Sequence, residues 1–294
     1  MAKVVRTITA DASAVASAID ATDIVNRIEQ IHKPSAVITA ALGRLSIAAS
    51  LMGMGLKNTS DSITLRFNGN GPSGSLIAVS DGKGNVRSYV ANPVVEIPLN
   101  SKGKLDVASA VGREGTLSVV KDMGLKEPYC GQVPIVSGEI AEDIASYFAV
   151  SEQIPTVCSL GVLVDKDLSV KCAGGFLIQL LPFADESVIS AIEKNISSLP
   201  SVTQMLSGGM TSEEMAMKVL DGLEPNVLDS FECGYKCDCS RERVERALIS
   251  MGRDELRDMA EEKETTEVCC HFCDKKYYFT SKELIKLAEK TVDS

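Results

Sequence analysis

Six of the nine cysteines lie in two short stretches, "FECGYKCDCSRERVERAL" from Phe231 and "VCCHFCDKKYYF" from Val268. A thiolate is both a nucleophile and a soft metal ligand, so closely spaced thiols point to metal or redox chemistry. Zinc takes four such donors in a tetrahedron, and proteins supply them as two close pairs from separate turns. Cys237 and Cys239 form a C-x-C pair, and Cys270 and Cys273 a C-x-x-C pair. The single residue inside C-x-C forces a tight bend that aims both sulfurs at one ion. These four are the predicted ligands of one zinc ion per chain. Spacing alone leaves competitors: Cys233 stands at a permitted C-x-x-x-C distance from Cys237, Cys269 can replace Cys270 with a longer loop, and His271 sits inside the second pair. Cys130, Cys158 and Cys172 are scattered singly through apolar text and read as ordinary thiols of a core.

A zinc-bound thiolate still reacts with peroxide or hypochlorous acid, and a neighbour at i+2 or i+3 can resolve the sulfenate to a disulfide. Each pair contains such a neighbour. The tail that carries them, 228–294, has few large apolar side chains and a heavily charged middle. So small a segment is marginal alone, whereas structural zinc contributes on the order of 10–16 kcal/mol of folding free energy. Oxidation of the ligands would withdraw that contribution. The residues describe a bistable switch, with no active site in the enzymatic sense. No Ser–His–Asp set is available, since the only histidines are His32 and His271, and paired carboxylates occur only in charged runs. His32, at a helix end before Pro34, reads as a helix-terminal residue.

The elements that must position this cluster fall into three segments. Residues 1–181 are rich in strand signals punctuated by Gly, Asn and Pro, with helical patterns near Ala21–Ile31, Ser35–Met54 and Ser137–Ser151. The alternation is irregular, which predicts an α+β domain on a largely antiparallel sheet. "GNGPSG" (Gly69 to Gly74) fits a dinucleotide fingerprint letter for letter, but a strand follows where a helix is needed and Pro72 has no amide to give, so it predicts a hairpin turn. Residues 182–227 form a helical connector, with "TSEEM" at Thr211 as a helix start. Residues 228–294 form the small zinc-binding domain, with two helices expected on either side of Gly252.

Composition narrows the function classes. A net charge of −10, no Trp and 4% aromatics leave little with which to grip phosphate backbones or stack on bases, so no nucleic acid is expected as a partner. "AVITAALGRLSIAASLMGMGL" is the most membrane-like stretch, but Arg44 interrupts it, which predicts a buried core helix and no membrane partner. No apolar signal-like segment stands at the N-terminus, and the expectation is the reducing cytosol, where clustered cysteines mean metal or redox chemistry.

With these motifs in view, the chain resembles the thirty-three-kilodalton redox-regulated heat-shock chaperonin family. "YKCDCSRERVERAL" with "CHFCDKKYYFT" matches the family's cysteine motif, and "AALGRLSIAASLMGMGLK", "FNGNGPSGSLIAVSDGKGNVRSYVANP" and "CAGGFLIQLLP" extend the likeness over nearly the whole chain. The resemblance implies a cytoplasmic, ATP-independent holdase, inactive while reduced and zinc-bound. It implies oxidative disulfides Cys237–Cys239 and Cys270–Cys273, unfolding of the tail and connector, capture of unfolding client proteins, and a homodimer as the active form. It also implies that "VVRTITADASAVASAI" forms paired strands, where its alanine content alone suggests helix. The surplus cysteines, Cys233 and Cys269 above all, depart from the family pattern. Two rival readings remain from residues alone: a static structural zinc module for partner docking, and a thiol–disulfide oxidoreductase. The latter needs its C-x-x-C at a helix N-terminus, whereas strand-like "KKYYF" follows "CHFC".

Overall fold

Alternating small and β-branched residues open the chain, and they form strands: β1 (Ala2–Ile8) and β2 (Ala14–Asp20) pair antiparallel. The resemblance was the better guide here than alanine content. Ala14, Ala16 and Ala18 are fully buried, and small side chains at alternate positions let helices approach the sheet closely. The computed structural model describes residues 2–182 and 184–290. It divides into two compact units, Met1–Lys236 and Cys237–Ser294.

In the larger unit, α1 (Thr22–His32) ends at Lys33 in the left-handed conformation, just before Pro34. His32 Nε2 lies 2.9 Å from the Ser88 carbonyl and donates to it. The next helix, α2 (Ala36–Gly53), has every residue buried except Ala36 and Arg44. It is long and apolar enough to cross a membrane, but it is a core helix. Two of its buried hydroxyls are satisfied, Ser46 by the Leu42 carbonyl at 2.7 Å and Ser50 by the Gly84 carbonyl at 2.7 Å, whereas Thr39 Oγ1 meets no hydrogen-bond partner among the described residues.

Then come β3 (Ser62–Gly69), β4 (Leu76–Asp81), β5 (Val86–Val90), α3 (Val107–Val111), β6 (Gly115–Asp122) and β7 (Tyr129–Pro134). These strands form an antiparallel sheet in the order β5-β4-β3-β6-β7. "GNGPSG" is the β3–β4 connection, as predicted. Its glycines serve packing: a Cβ on Gly71 would lie 2.4 Å from the Ala110 carbonyl oxygen, against α3. Next, α4 (Ala141–Tyr147) runs into a π-helical turn at Phe148–Glu152 and then into the long hairpin β8 (Thr156–Val164) and β9 (Val170–Leu180).

The connector is helical, as expected: α5 (Glu186–Ser198), α6 (Val202–Ser207) and α7 (Ser212–Lys218). Thr211 caps α7, accepting from the Glu214 amide at 3.2 Å. Met205, Met215, Val219 and Leu220 are buried against Val5 of β1, the alanines of β2 and Phe176 of β9. The chain then returns to the first sheet. β10 (Asn226–Cys233) pairs with β1, from Ala2 opposite Cys233 to Ile8 opposite Asn226, which completes the antiparallel order β10-β1-β2-β9-β8.

The sequence reading began the small domain at residue 228. The structure places 228–236 in the larger unit, because backbone pairing with β1 ties this strand to the first sheet.

The smaller unit contains α8 (Arg241–Ile249), α9 (Arg253–Glu262), the hairpin β11 (Thr265–Cys269) and β12 (Lys276–Thr280), and α10 (Ser281–Ala288). Gly252, with φ 105°, breaks α8 from α9 where the sequence placed a break. The core of this unit is small: Leu248, Leu256, Tyr277, Phe279, Leu284 and Leu287 with two alanines. The molecule is thus an α+β protein on antiparallel sheets, with a small C-terminal unit that holds the clustered cysteines.

Candidate metal centre

Two local structures bring the four predicted ligands together. Cys237 and Cys239 lie on the extended segment before α8, which Ser240 caps by accepting from the Arg243 amide at 3.3 Å. Asp238, between the two cysteines, pairs with Arg243. Cys270 and Cys273 lie in the tight turn between β11 and β12. There the Cys270 amide donates to the Lys275 carbonyl at 2.9 Å, and the Cys273 and Asp274 amides return to the Cys270 carbonyl at 3.3 and 2.8 Å. Asp274 takes the left-handed conformation, φ 58°, that closes the turn. The register Val268 opposite Tyr277 and Cys269 opposite Lys276 fixes where this knuckle stands.

The sulfurs of Cys237, Cys239, Cys270 and Cys273 all lie within 4.8 Å of one another. Cys237 Sγ is 3.7 Å from Cys270 Sγ, and Cys239 Sγ is 3.4 Å from Cys273 Sγ. A tetrahedron with metal–sulfur arms of about 2.3 Å has edges of about 3.8 Å, so the spacing suits one four-coordinate ion. The donor set fits a soft or borderline divalent cation. Burial pushes the Cys237 thiol above its ordinary range and the Cys273 thiol up to about 11, and both are half-buried beside other thiols. Burial opposes ionisation at Cys239 as well, but hydrogen bonds from Tyr277 and the neighbouring thiols outweigh it and lower that pKa. Burial of Cys237 and Cys273 opposes their ionisation, a cost that a bound cation would offset.

Tyr277 escaped the sequence reading. Its hydroxyl donates to Cys239 Sγ at 3.2 Å, while its ring joins the core of the small unit. Period-2 alternation in "KKYYF", which turns Tyr277 inward and Tyr278 outward, was the available signal. Arg241 braces the same hairpin: its guanidinium donates to the Tyr278 carbonyl at 3.0 Å, pairs with Glu283 at 2.7 Å and lies over the Phe279 ring.

The three competitors for the metal are elsewhere. Cys233 is buried in the core of the larger unit, with Sγ 3.9 Å from Ser50 Oγ, and burial pushes its pKa up to about 11. Cys269 is exposed at the end of β11, 3.5 Å from a Glu267 carboxylate oxygen. His271 is exposed and lies outside the four-sulfur group. Of the scattered thiols, Cys172 is buried and Cys158 half-buried, whereas Cys130 is exposed, contrary to its reading as a core thiol. "CHFC" sits in a hairpin turn and not at the start of a helix, which removes the structural basis of the oxidoreductase reading.

Comparison with known proteins agrees with this architecture. The family model described as Hsp33 protein matches residues 2–280. The 33 kDa chaperonin of Clostridioides difficile (strain 630) is 49% identical over 266 residues, covering 90% of this chain and 91% of its own. That of Alkaliphilus metalliredigens (strain QYMF) is 44% identical over 288 residues, covering 98% and 99%. Among solved structures, the crystal structure of the 33 kDa chaperonin, a heat shock protein 33 homologue, from Thermotoga maritima superposes with a TM-score of 0.90 at 41% identity, covering 99% of both chains. With four clustered sulfurs, an antiparallel α+β body and relatives matched along almost their entire length, the chain belongs to the 33 kDa chaperonin (Hsp33) family.

Proposed function

We propose that this protein is a redox-regulated, ATP-independent holdase of the cytoplasm. In the reduced state Cys237, Cys239, Cys270 and Cys273 hold one zinc ion, which supplies the cross-link that folds Cys237–Ser294. The observation that carries the reading is where these sulfurs stand: Cys239 and Cys270 pack against the small hydrophobic core of that unit, so the metal site and the core are one structure. Loss of the site is loss of the fold.

Peroxide is the natural trigger. Attack of one thiolate on peroxide breaks the O–O bond, leaving a sulfenic acid and hydroxide. The partner thiolate then attacks the sulfenic sulfur, the S–S bond forms, and a second hydroxide leaves. Two electrons pass to each peroxide, so two peroxides convert four thiolates into the disulfides Cys237–Cys239 and Cys270–Cys273. The sulfurs no longer carry the charge that holds a cation, and the C-terminal unit and then the connector 182–227 unfold. Apolar surface becomes available to unfolding client proteins, and the active form is a homodimer. The protein turns over no substrate.

Zinc-loaded reduced protein, treated with peroxide at raised temperature, should release one zinc per chain, acquire these two disulfides on mapping, and suppress aggregation of a chemically denatured client. Retention of the metal with no protection would overturn the reading and leave a static zinc module.

A further inference from the structure

Cys233 is the last residue of β10, and three residues separate it from Cys237, the first of the four clustered cysteines. Those three, 234–236, run along the rim of the second sheet, where β5 is the outermost strand. The Val86 amide donates to the Gly234 carbonyl at 3.0 Å and the Lys236 amide to the Val86 carbonyl at 2.9 Å, so Tyr235 forms a parallel bridge with Val86. The Tyr235 hydroxyl adds two bonds to one residue of β5, accepting from the Ser88 amide at 3.2 Å and donating to the Ser88 carbonyl at 3.1 Å. Cys233 itself still pairs with Ala2 of β1. Residues 233–236 therefore strap the edge of one sheet to the edge of the other.

What the strap shuts in is a thiol. Cys233 is 3% exposed. Its Sγ lies 3.9 Å from Ser50 Oγ on α2, whose own proton goes to the Gly84 carbonyl at 2.7 Å. The turn that carries Gly84 is closed by the Asp81 carboxylate, which accepts from the Asn85 amide at 3.0 Å, so the wall around the sulfur is fixed on both sides. Burial also pushes the Cys233 thiol up to about 11, which leaves little thiolate. A disulfide needs its two Cα atoms within about 7 Å. Residues four apart come that close in a helical turn but not along an extended one. While Tyr235 is bridged to Val86, the chain between Cys233 and Cys237 is extended at its middle.

We propose that Tyr235 is a specificity-determining residue of the oxidation: by holding 234–236 on β5 it keeps Cys233 out of the exchange, so that Cys239 resolves an oxidised Cys237. This rests on the redox reading of the cluster. Attack of the Cys237 thiolate on peroxide breaks the O–O bond and leaves a sulfenic acid and hydroxide. Whichever thiolate then attacks the sulfenic sulfur forms the S–S bond, and a second hydroxide leaves. Cys239 stands two positions after Cys237 and Cys233 four before it. A ring closed across three residues relaxes more readily than one closed across a single residue, so a freed Cys233 competes well with Cys239. The resulting Cys233–Cys237 bond would leave Cys239 a thiol. Once the small unit unfolds and Cys237 moves freely, the strap is the barrier that remains, and Tyr235 acts on the chemistry by positioning, without touching a reacting atom.

The test has two arms on the full chain. Reduced, zinc-loaded protein is alkylated with iodoacetamide and each thiol is followed by mass spectrometry; a second portion is oxidised with peroxide at raised temperature and its disulfides are mapped. In the wild type Cys233 should label at least about tenfold more slowly than exposed Cys130, and no disulfide should contain it. Tyr235→Phe keeps the ring and loses both hydroxyl hydrogen bonds. It should speed labelling of Cys233 by about tenfold, the scale of two lost hydrogen bonds, and yield Cys233–Cys237, while buried Cys172 labels at the wild-type rate. Adding Cys233→Ser to that variant should restore Cys237–Cys239. Labelling of wild-type Cys233 as fast as Cys130, a wild-type disulfide that contains Cys233, or a Tyr235→Phe variant that maps like the wild type would overturn the proposal. So would equal acceleration at Cys172, which would make the effect a general loosening of the fold. Wild-type protein that forms no disulfide at all would instead overturn the redox reading, and the role of Tyr235 with it, leaving the alkylation rates to report the strap alone.

Discussion

At the scale of single residues, the two groups of thiols behave differently because their surroundings differ. Tyr277 donates to Cys239 Sγ at 3.2 Å and so orients one of the four clustered sulfurs. Losing such a partner typically lowers metal affinity about 10–100-fold. Tyr277→Phe should therefore lose zinc to a chelator at a concentration about tenfold lower, with zinc stoichiometry unchanged at saturation. Cys233 is a different case, a thiol held neutral by burial, with its pKa raised from 9.0 to about 11. A thiol with a raised folded pKa binds more protons folded than unfolded between these values, so its contribution is complete below about pH 9 and declines as pH rises toward 11. The wild-type chain should lose about 2–3 kcal/mol of stability in the larger unit across that window relative to Cys233→Ala. Urea melts at pH 8.5 and 11 would measure the difference.

Among elements, the connector owes its place to small residues beneath it. α6 lies directly on β8 because Gly161 has no side chain: a Cβ there would meet Thr203 at 2.9 Å and Val202 at 3.1 Å. Gly161→Val should push α6 off the sheet and destabilise the larger unit by about 1–3 kcal/mol. Limited proteolysis should then cut within 199–211 sooner than in the wild type. If the connector takes part in the switch, this variant should also need less heat to become active at a given peroxide concentration. In the folded chain Met205, Met215, Val219 and Leu220 serve packing.

For the molecule as a whole, the two units draw stability from different sources. Met1–Lys236 encloses an extended core around α2, between two five-stranded sheets. Cys237–Ser294 has only a small core, and a zinc ion worth on the order of 10–16 kcal/mol would exceed what so short a segment gains from burial. Removing metal with a strong chelator under reducing conditions should therefore unfold the small unit alone. Amide exchange should become fast over 237–290 and stay slow in α2 and β9, and the far-ultraviolet circular dichroism should fall by a fraction, without collapse. Simultaneous loss of protection in both units would contradict separate stabilisation.

The four-cysteine cluster was legible in the linear chain because each half of it depends on short-range geometry: two residues apart and three residues apart are distances a local turn can close. The β3–β4 hairpin at "GNGPSG", the core helix around Arg44 and the break at Gly252 were legible for the same reason, each being written in neighbouring residues. What tertiary structure alone decided is long-range pairing. Cys233 stands at a spacing from Cys237 that permits ligation, yet its strand pairs with Ala2–Ile8, more than two hundred residues earlier, and this carries its sulfur into the core of the larger unit. The same pairing moved the boundary between units from residue 228 to Cys237. Spacing along the chain limits only how neighbours can meet, whereas burial and sheet register are set by contacts between segments far apart in sequence.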